Sequence, residues 1–389
     1  PFTIIENQGG SPVIGTFGTI TQNLLFLDAL LDYAGGSSGH DVMLELRRND
    51  IAFASLGRSF NQVSTGTAIE TLGPGHPVWQ AIALANDADM VRAGLDALSG
   101  EIHASAKTAL IEDSRFVRNA ANERIRAAFG DAWASVRPVL AYGPGGSPVQ
   151  VSADHAGPVF WASGFGSWGS TEGDGNAASL DRATGGLLLG TDGLVGGWRV
   201  GMLAGYGHSH IEASRRASSA SSDNYHLGLY GGTRWGNIAL RTGTAYTWHD
   251  IDVRRTVAIP GLVESLRGGY SAGLFQAFGE VGYGLALGAT RLEPFASLAH
   301  VHLHTGSFGE RGGDAALSGR GGDTDPTFTT LGLRGAYATR LGATEARLHG
   351  MVGWRHAFGD ATPKSVHAFS AGDAFTIGGV PIARDSAVI

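Results

Sequence analysis

Residues 198–207 read WRVGMLAGYG, and this stretch decides the fold of the chain. Successive side chains of a β-strand point to opposite faces. The even-numbered residues would therefore share one apolar face, and the odd-numbered ones, Arg199 among them, would share a face of small or charged residues. The same alternation recurs at residues 238–248 and 348–358. An apolar face backed by glycine and arginine is typical of a transmembrane β-barrel with a polar lumen.

The connections between candidate strands alternate in length. The short ones fall at residues 192–197, 235–237, 287–290 and 341–344, and the long ones at 212–224, 254–268 and 305–326. Outer-membrane barrels have short periplasmic turns and longer extracellular loops, whereas a soluble β-sandwich, the alternative, gives no reason for this alternation. The predicted strands are 157–169, 180–193, 197–211, 224–235, 237–253, 269–287, 290–304, 326–341 and 344–359, with a tenth within 363–380.

Composition narrows the class of protein further. The net charge of −7 and the pI of about 6.0 argue against nucleic-acid binding, which usually needs a basic face. The absence of cysteine excludes disulfides, thiolate metal sites and cysteine nucleophiles. No apolar run reaches the ~18 residues of a transmembrane helix. Since the chain starts at Pro1 without a signal peptide, we expect it to be a piece of a longer protein.

The residues before the barrel divide into three segments and a linker. Residues 1–50 contain β-like pieces at 2–5, 13–17 and 42–46, which we interpret as the end of a β-solenoid passenger. Residues 51–98 have a helical pattern, with Pro77 at a first helical position. A longer helix follows at residues 99–130, and a flexible linker at 131–156 leads to the barrel at 157–389.

The helix at residues 99–130 has Ser99 as its expected N-cap and an arginine-rich second half. At 1.5 Å per residue it would be ~42 Å long, which exceeds the ~30 Å hydrocarbon core of a bilayer. It could therefore traverse a barrel lumen as a pore helix. A surface amphipathic helix is the alternative.

Several segments resemble the type V autotransporters of Gram-negative bacteria, and the resemblance covers nearly the whole chain. Residues 97–105, ALSGEIHAS, with residues 110–115, LIEDSR, are similar to the junction of passenger and translocator in that family. The similarity continues through the first, middle and late strands of the family's barrel. Those segments are FWASGFGSWG at 160–169, QAFGEVGY at 276–283, LEPFA at 292–296, GWRHAFGD at 353–360 and FTIGGVPIARD at 375–385.

The resemblance implies a mainly β fold, an antiparallel transmembrane barrel of twelve strands with a helix in its pore and an N-terminal passenger. It implies an outer-membrane location, with the passenger at the cell surface or secreted. Implied partners are outer-membrane lipid, the chain's own passenger, the barrel-assembly machinery and periplasmic chaperones. Residues 381–389 do not look like a final strand, so we expect the last strands to lie beyond them.

Charged residues on inward strand positions are the candidate functional residues, since a wet lumen tolerates them. The candidate pore-lining residues are Arg199, Arg241, Glu280, Glu293, Arg334 and Arg355, and those of the pore helix are Arg115, Arg118, Asn119, Asn122 and Arg124. We hypothesise that Glu280 and Glu293 pair with arginines of the helix and hold it. Some family members cleave themselves at an asparagine in the barrel, but Asn119 and Asn122 lack the double-asparagine pattern of one subgroup.

The remaining motifs have simpler explanations than chemistry. Residues 164–169 match G-x-G-x-x-G, but a dinucleotide site needs that motif between a strand and a helix. His300, His302 and His304 share one strand face and could bind a metal, although a strand end at the water interface explains them more simply. We predict no catalytic, cofactor or metal residues and no enzymatic activity in this chain.

These observations predict an outer-membrane translocator that anchors and exports its own passenger. Energy would come from folding of the passenger outside the cell, since no nucleotide site is visible. A general diffusion channel would share the barrel but not the pore helix. A surface adhesin or hydrolase whose activity lies in the passenger is the other alternative.

Overall fold

The computed structural model describes residues 2–131, 138–143, 145–341 and 344–389, with side chains left out at 340–341 and 344–345. A small antiparallel sheet comes first, with strands in the order β1-β3-β2: β1 is Phe2–Ile5, β2 is Leu27–Gly35 and β3 is Asp41–Arg48. The β-like piece predicted at 13–17 is not a strand, because Gly15 breaks it with φ +93°. That residues 1–50 end a solenoid passenger stays a prediction.

Three short helices follow a single 3₁₀ turn at Phe53–Leu56: α1 is Phe60–Glu70, α2 is Pro77–Ala83 and α3 is Ala88–Leu98. Each has a recognisable start. Ser59 and Gln62 form a capping box on α1, Pro77 opens α2, and the Asp87 carboxylate accepts from two backbone amides of α3. The helical pattern predicted for residues 51–98 is present in this junction.

The pore helix is two helices, α4 at Glu101–Asp113 and α5 at Arg115–Phe129. The break lies at Ser114, whose hydroxyl donates to the carbonyl of Ile111 at 2.6 Å. Such side-chain bonds to the preceding turn bend helices. The predicted N-cap is also wrong: Ser99 ends α3, and Gly100 caps α4 with φ +68°. No helix among the described residues is long and apolar enough to cross a bilayer.

The predicted flexible linker contains structure instead. Strands β4 (Val139–Tyr142) and β5 (Pro148–Val151) form a hairpin that joins the barrel sheet where Leu140 pairs with Phe160. Residues 132–137 and 144 lie outside the described part. Pairing with the first barrel strand gives backbone groups a partner that a free linker would leave to water.

The barrel is an antiparallel sheet in which each long strand pairs with the next along the chain. Its members are β6 Val159–Thr171, β7 Leu180–Val195, β8 Trp198–Ala213, β9 Ser218–Trp235, β10 Ile238–Ile259, β11 Leu262–Tyr283, β12 Leu285–Leu287, β13 Thr290–Thr305, β17 Pro326–Leu341, β18 Thr344–Gly359 and β21 Asp385–Val388. A separate four-stranded sheet has the order β14-β15-β19-β20, with β14 at Phe308–Gly309, β15 at Ser318–Arg320, β19 at Lys364–Ala368 and β20 at Phe375–Gly378, and β16 Gly322–Thr324 pairs with β13.

The sheet curls around the pore helix. Phe165 of β6 stacks on Phe116, and Arg355 of β18 makes a bidentate ion pair with Glu112 of α4. Strands β6 and β18 stand far apart in the order of strands, yet both contact the same turns of the helix. The sheet therefore curves around the helix, which lies along its lumen.

Two of the predicted long loops are strand. Strands β10 and β11 each run for 22 residues and turn at Pro260 and Gly261, so residues 254–268 form a hairpin. Residues 218–224 likewise begin β9. The prediction failed because the alternation continues with its faces exchanged. Trp248 is exposed and apolar. Two residues later the exposed side chain is the polar Asp250, and the next buried side chains are the apolar Ile251 and Val253.

The exchange of faces marks the end of the membrane-spanning part. Above it, the hairpin has a polar outer face and an apolar inner face, as in a water-soluble sheet. A cap forms there from α1–α3, the outer part of α4 and the four-stranded sheet. The tenth barrel strand predicted within 363–380 is wrong, because β19 and β20 belong to that sheet, whose buried side chains include Phe375 and Ile377. Residues 385–388 do form a strand, against expectation, and it pairs with β18.

Candidate functional site: the barrel lumen and its helix

The outer face of the barrel is apolar and uncovered. Its large exposed side chains alternate with buried ones along the spanning strands. They include Leu187, Leu189, Val200, Met202, Tyr206, Tyr225, Leu227, Leu229, Trp248, Phe275, Val281, Leu298, Leu331, Leu333, Val352, Trp354 and Phe358. A water-soluble protein would bury such a belt against a second layer. Aromatic residues lie at its upper edge, as in the interfacial girdles of outer-membrane barrels.

The lumen holds a first charge cluster around Asp192 of β7. The carboxylate of Asp192 accepts two hydrogen bonds from Arg124 of α5, at 2.7 and 2.8 Å, and one from Arg199 of β8 at 2.6 Å. It also accepts from the hydroxyl of Tyr230, 2.7 Å away, which in turn accepts from Trp161. All of these polar atoms are buried. Breaking a buried ion pair typically costs about 3–5 kcal/mol, so this cluster fixes α5 to the wall.

A second cluster lies on the other side of α5. Glu280 of β11 accepts from Arg126 of α5 at 3.1 Å, from Arg241 of β10 at 2.8 Å and from Arg334 of β17 at 2.6 Å. Glu293 of β13 accepts from Arg241 and Arg334. Glu280 therefore contacts a helix arginine, as hypothesised. Glu293 differs from the hypothesis, because its two arginines belong to the wall rather than the helix.

Three consecutive residues at the break between the helices contact three sides of the lumen. Glu112 pairs with Arg355 of β18 through two bonds of 2.9 Å. Asp113 accepts from Ser209 of β8 at 3.1 Å. The carbonyl of Ser114 accepts from the side-chain amide of Gln276 of β11 at 3.0 Å. Successive helical residues point about 100° apart. Glu112, Asp113 and Ser114, which we call the collar, therefore contact the wall in three different directions.

The remaining helix candidates line a cavity of about 500 Å³ beside α5. Arg115, Arg118, Asn119 and Asn122 face it, together with wall residues of β11, β13, β17 and β18. Arg118 also donates to the hydroxyl of Ser114 at 2.9 Å. The structure thus brings the six pore-lining candidates and Arg124 into ion pairs, and leaves the two asparagines beside open space. Asp131, which follows α5, also accepts from Arg241 at 2.6 Å. The sequence did not predict Asp192, Asp131, Tyr230 or Gln276 as lumen residues, since most of their partners are far away in the chain.

A buried polar cluster lies above the membrane-spanning part, where α4 begins. His103 bonds to Glu310 at 2.8 Å and stacks on Phe308, while Arg255 of β10 makes two bonds to the same carboxylate. Burial raises the pKa of the Glu310 carboxyl, but Arg255 outweighs it and holds that pKa below its usual range. Burial lowers the pKa of His103 below 6.5 and that of His367 to about 3. Both imidazoles are therefore neutral at pH 7.

The three histidines of β13 do not converge on a metal. His300 bonds to Thr327 at 2.9 Å, His302 to Asp325 at 2.5 Å and His304 to Asp323 at 2.6 Å, each on the exposed side. Among the described residues no group of three or more side chains could hold a metal ion. Residues 164–169 lie within β6, and no helix follows them.

The sequence matches a protein family and several known proteins. The model of the family described as Autotransporter beta-domain matches residues 160–389. An Extracellular serine protease of Serratia marcescens is 33% identical over 431 residues, covering 100% of this chain and 39% of that protein. Esterase EstA of Pseudomonas aeruginosa is 28% identical over 176 residues, covering 43% of this chain and 26% of that protein. The chain thus spans at most about two-fifths of the length of these relatives.

Solved structures give weaker likenesses. The translocator domain of autotransporter NalP from Neisseria meningitidis has a TM-score of 0.48 and 14% identity, covering 71% of this chain and 96% of that one. The transport unit of AIDA-I from Escherichia coli has a TM-score of 0.40 and 16% identity, covering 59% and 76%. With the family matched over residues 160–389, an apolar belt outside and a polar lumen inside, the chain belongs to the autotransporter family and carries its beta-domain, an outer-membrane translocator that exports a passenger.

Proposed function

We propose that α4 and α5 stay in the lumen once the passenger is outside, where they plug the barrel and tether the passenger to it. The observation that carries this proposal is the pair of charge clusters on opposite sides of α5. Arg124 binds Asp192 on one side and Arg126 binds Glu280 on the other, and both ion pairs are buried. A segment that only passed through the channel would have no reason to match the wall so closely.

The proposed plug assigns a role to each segment of the chain. In our proposal residues 1–50 end the passenger, 51–98 form a junction outside the cell, and 99–130 are the pore helix. Residues 131–156 connect the pore helix to the barrel, which residues 157–389 form. The exchange of faces near Trp248 supports this assignment, because beyond it β10 buries Ile251 and Val253 and exposes Asp250 and Asp252, as a strand in water does.

We further propose that the passenger of the whole protein is a secreted hydrolase. Relatives are named Extracellular serine protease and Esterase EstA. The passenger's activity would then lie in sequence that these relatives have and this chain does not contain. Assay of the complete secreted passenger on casein and on a p-nitrophenyl ester, with and without a serine-directed inhibitor, decides this.

The partners of the barrel follow from its surface. The apolar belt must cross the aqueous periplasm before it meets lipid, and an exposed apolar surface of that extent aggregates in water. We propose that periplasmic chaperones cover it and that the barrel-assembly machinery inserts it, as the family implies.

Conductance in planar lipid bilayers tests the plug. The chain is compared with a variant in which residues 101–129 are replaced by a Gly-Ser linker of equal length. We expect the linker variant to conduct at least tenfold more current, because the helix occupies the lumen. Equal conductance would eliminate the plug and favour the general diffusion channel.

A charge variant tests the clamp itself. Glu280→Lys places a cation among Arg126, Arg241 and Arg334, so we expect a less stable barrel and frequent opening events. Glu172→Lys, which makes the same charge change on an exposed loop residue, is the control and should behave as the parent. If Glu280→Lys shows neither a lower unfolding temperature nor extra openings, the clamp has no role.

A further inference from the structure

Three arginines lie side by side on the outer face of the sheet, above the apolar belt. Arg254 of β10 is directly opposite Arg267 of β11, and Arg267 is paired in turn with Arg311, which follows β14. Residues directly opposite each other in an antiparallel pair share a face. The three side chains, which we call the arginine row, therefore form one line across three neighbouring segments, and all three are exposed.

The arginine row carries charge that the protein does not balance locally. Within the part of the chain that the structure describes, none of its three guanidinium groups makes an ion pair or a hydrogen bond. Arg255, the next residue of β10, points inward and makes two bonds to Glu310. Like charges directly opposite each other destabilise a sheet. An anionic partner from outside the chain would offset this repulsion.

The arginine row stands over the lipid-facing side of the barrel. Arg254 lies on the face of β10 that presents Tyr246 and Trp248 outward lower down, whereas the opposite face packs on α3. Strands β10 and β11 are also in the middle of the strand order, with long strands paired on both sides. A partner of the row therefore approaches from the side, along the membrane surface.

Height above the membrane limits the kind of lipid that can reach the row. Arg254 follows Trp248 by six residues along β10. For strands tilted by ~45° this separation is a rise of about 14 Å. The interfacial layer of a phospholipid bilayer is only about 5–8 Å thick on each side. A compact phospholipid headgroup is therefore too short, and a headgroup with phosphate on extended sugars is tall enough.

We propose that the arginine row binds the phosphates of a glycolipid in the outer leaflet, one whose phosphate groups are carried on an extended sugar headgroup. Guanidinium groups bind phosphate through paired hydrogen bonds. Neighbouring strands lie about 4.8 Å apart, so the row presents three such groups to a single polyphosphorylated headgroup. Ser219 of β9, directly opposite Arg254, adds a hydroxyl donor beside them.

The bound lipid would hold the upper half of the hairpin, and with it the junction helices, at a fixed height over the membrane. The inference rests on the proposed location of the junction outside the cell. Protease added to intact cells tests that location separately, by cleavage within residues 51–98.

Binding to the folded full chain in detergent tests the arginine row. The probes are a lipopolysaccharide with a phosphorylated core, one that lacks only the core phosphates, and phosphatidylglycerol. We expect the parent to bind the first probe at least tenfold more tightly than the other two. Arg254→Gln with Arg267→Gln should weaken that binding roughly tenfold or more, because one hydrogen bond between charged groups contributes about that factor.

Matched variants separate the row from charge in general. Arg47→Gln with Arg58→Gln makes the same charge change at exposed positions before the barrel and should bind as the parent does. Each variant must show the heat-dependent gel migration of a folded barrel, and Arg311→Gln replaces the row variant if that variant does not fold. Equal binding of parent and row variant, or an equal loss in the matched variant, overturns the proposal. Tighter binding of heparin than of the phosphorylated lipid overturns it too, since the row would then serve a soluble acidic polymer.

Discussion

Charged side chains in the lumen form sets rather than isolated pairs. Glu280 contacts three arginines, and Asp192 contacts two arginines and a tyrosine. Removing charges from water is costly, and a single partner seldom compensates for it. Several partners, each satisfying a different lone pair, can do so. The helix is thereby held by residues from widely separated strands. Arg241 and Arg334 bind Glu293 as well as Glu280, so they keep a partner when one carboxylate is lost.

The buried histidines at the start of α4 should make the cap sensitive to acid. The pKa of His367 is lowered to about 3 in the folded state, against 6.5 when exposed, so the unfolded cap binds protons more readily. Stability is fully present above pH 6.5 and is lost as pH falls from 6.5 toward 3. At pH 5 this histidine alone should cost on the order of 2 kcal/mol relative to pH 8. Limited proteolysis within residues 50–60 at pH 5 and at pH 8 measures this loss of stability.

A double variant separates these histidines from other titrating groups. His103→Gln with His367→Gln should be less stable at pH 8 but should lose much less between pH 8 and pH 5. Glu310 cannot account for a change in that range, since its carboxylate is protonated only below its ordinary pKa of 4.5. An unchanged pH dependence in the double variant would assign the effect elsewhere.

At the scale of elements, the hairpin of β10 and β11 faces lipid along its lower half and water along its upper half. Its lower half presents Tyr246 and Trp248 outward to lipid, and its upper half presents Asp250 outward to water. The inner face of the upper half packs on the junction. There Gly94 of α3 comes close to Ile259, where a Cβ would be 3.4 Å from that side chain. The hairpin thus carries the junction helices directly above the pore.

Substitutions on the two faces at the tip of this hairpin should have different effects. Val257→Asp buries a carboxylate without a partner, which we expect to cost about 3–5 kcal/mol and to detach α2 and α3 from the hairpin. Ala258→Asp puts the same group on the exposed face and should change stability by less than about 0.5 kcal/mol. Protease cleavage within residues 71–90 of the folded barrel measures docking of the helices. Equal cleavage of the two variants would contradict this arrangement.

At the scale of the whole molecule, the barrel reverses the arrangement of a soluble protein. Polar groups fill its interior, and an apolar belt surrounds it. The cap above it has the usual arrangement, with Phe26, Phe53 and Ile377 buried. Both parts share the pore helix, whose outer turns lie in the cap and whose inner turns lie in the barrel. Folding of the cap and closure of the lumen are therefore coupled through α4.

The position of the lipid boundary gives a prediction for the entire barrel. Leu229→Arg puts a charge in the middle of the apolar belt and should destabilise the inserted barrel by about 2–4 kcal/mol. Asp250→Arg lies on the same outer side above the belt and should cost little, about 0–1 kcal/mol. Urea titration of both variants folded into lipid vesicles gives the comparison. Two equal losses would place the boundary elsewhere.

The sequence by itself determined the membrane-spanning part. Alternation with period two and the positions of Gly-containing short turns are local properties. Nine strands could therefore be predicted, and six of them have bounds within two residues of those observed. The inward positions of Arg241 and Glu280 followed from the same alternation. The pattern could not show where lipid gives way to water. The odd-numbered residues of β10 face inward on both sides of that boundary, and only the chemistry of the two faces changes.

The hydrogen-bonding partners of the charged residues depend on the tertiary structure. Arg124 and Asp192 are 68 residues apart, and Lys107 and Lys364 are 257 residues apart, distances over which no local pattern carries information. The cap could not be predicted for the same reason. Residues 363–380 are apolar enough for a barrel strand, but they pack on α1 and α4 and form part of the cap. The carbonyl of Ser114, at the break between α4 and α5, likewise accepts from Gln276, 162 residues away. Periodicity fixes which face a side chain takes, whereas burial of charge selects its partner only once the strands surround the helix.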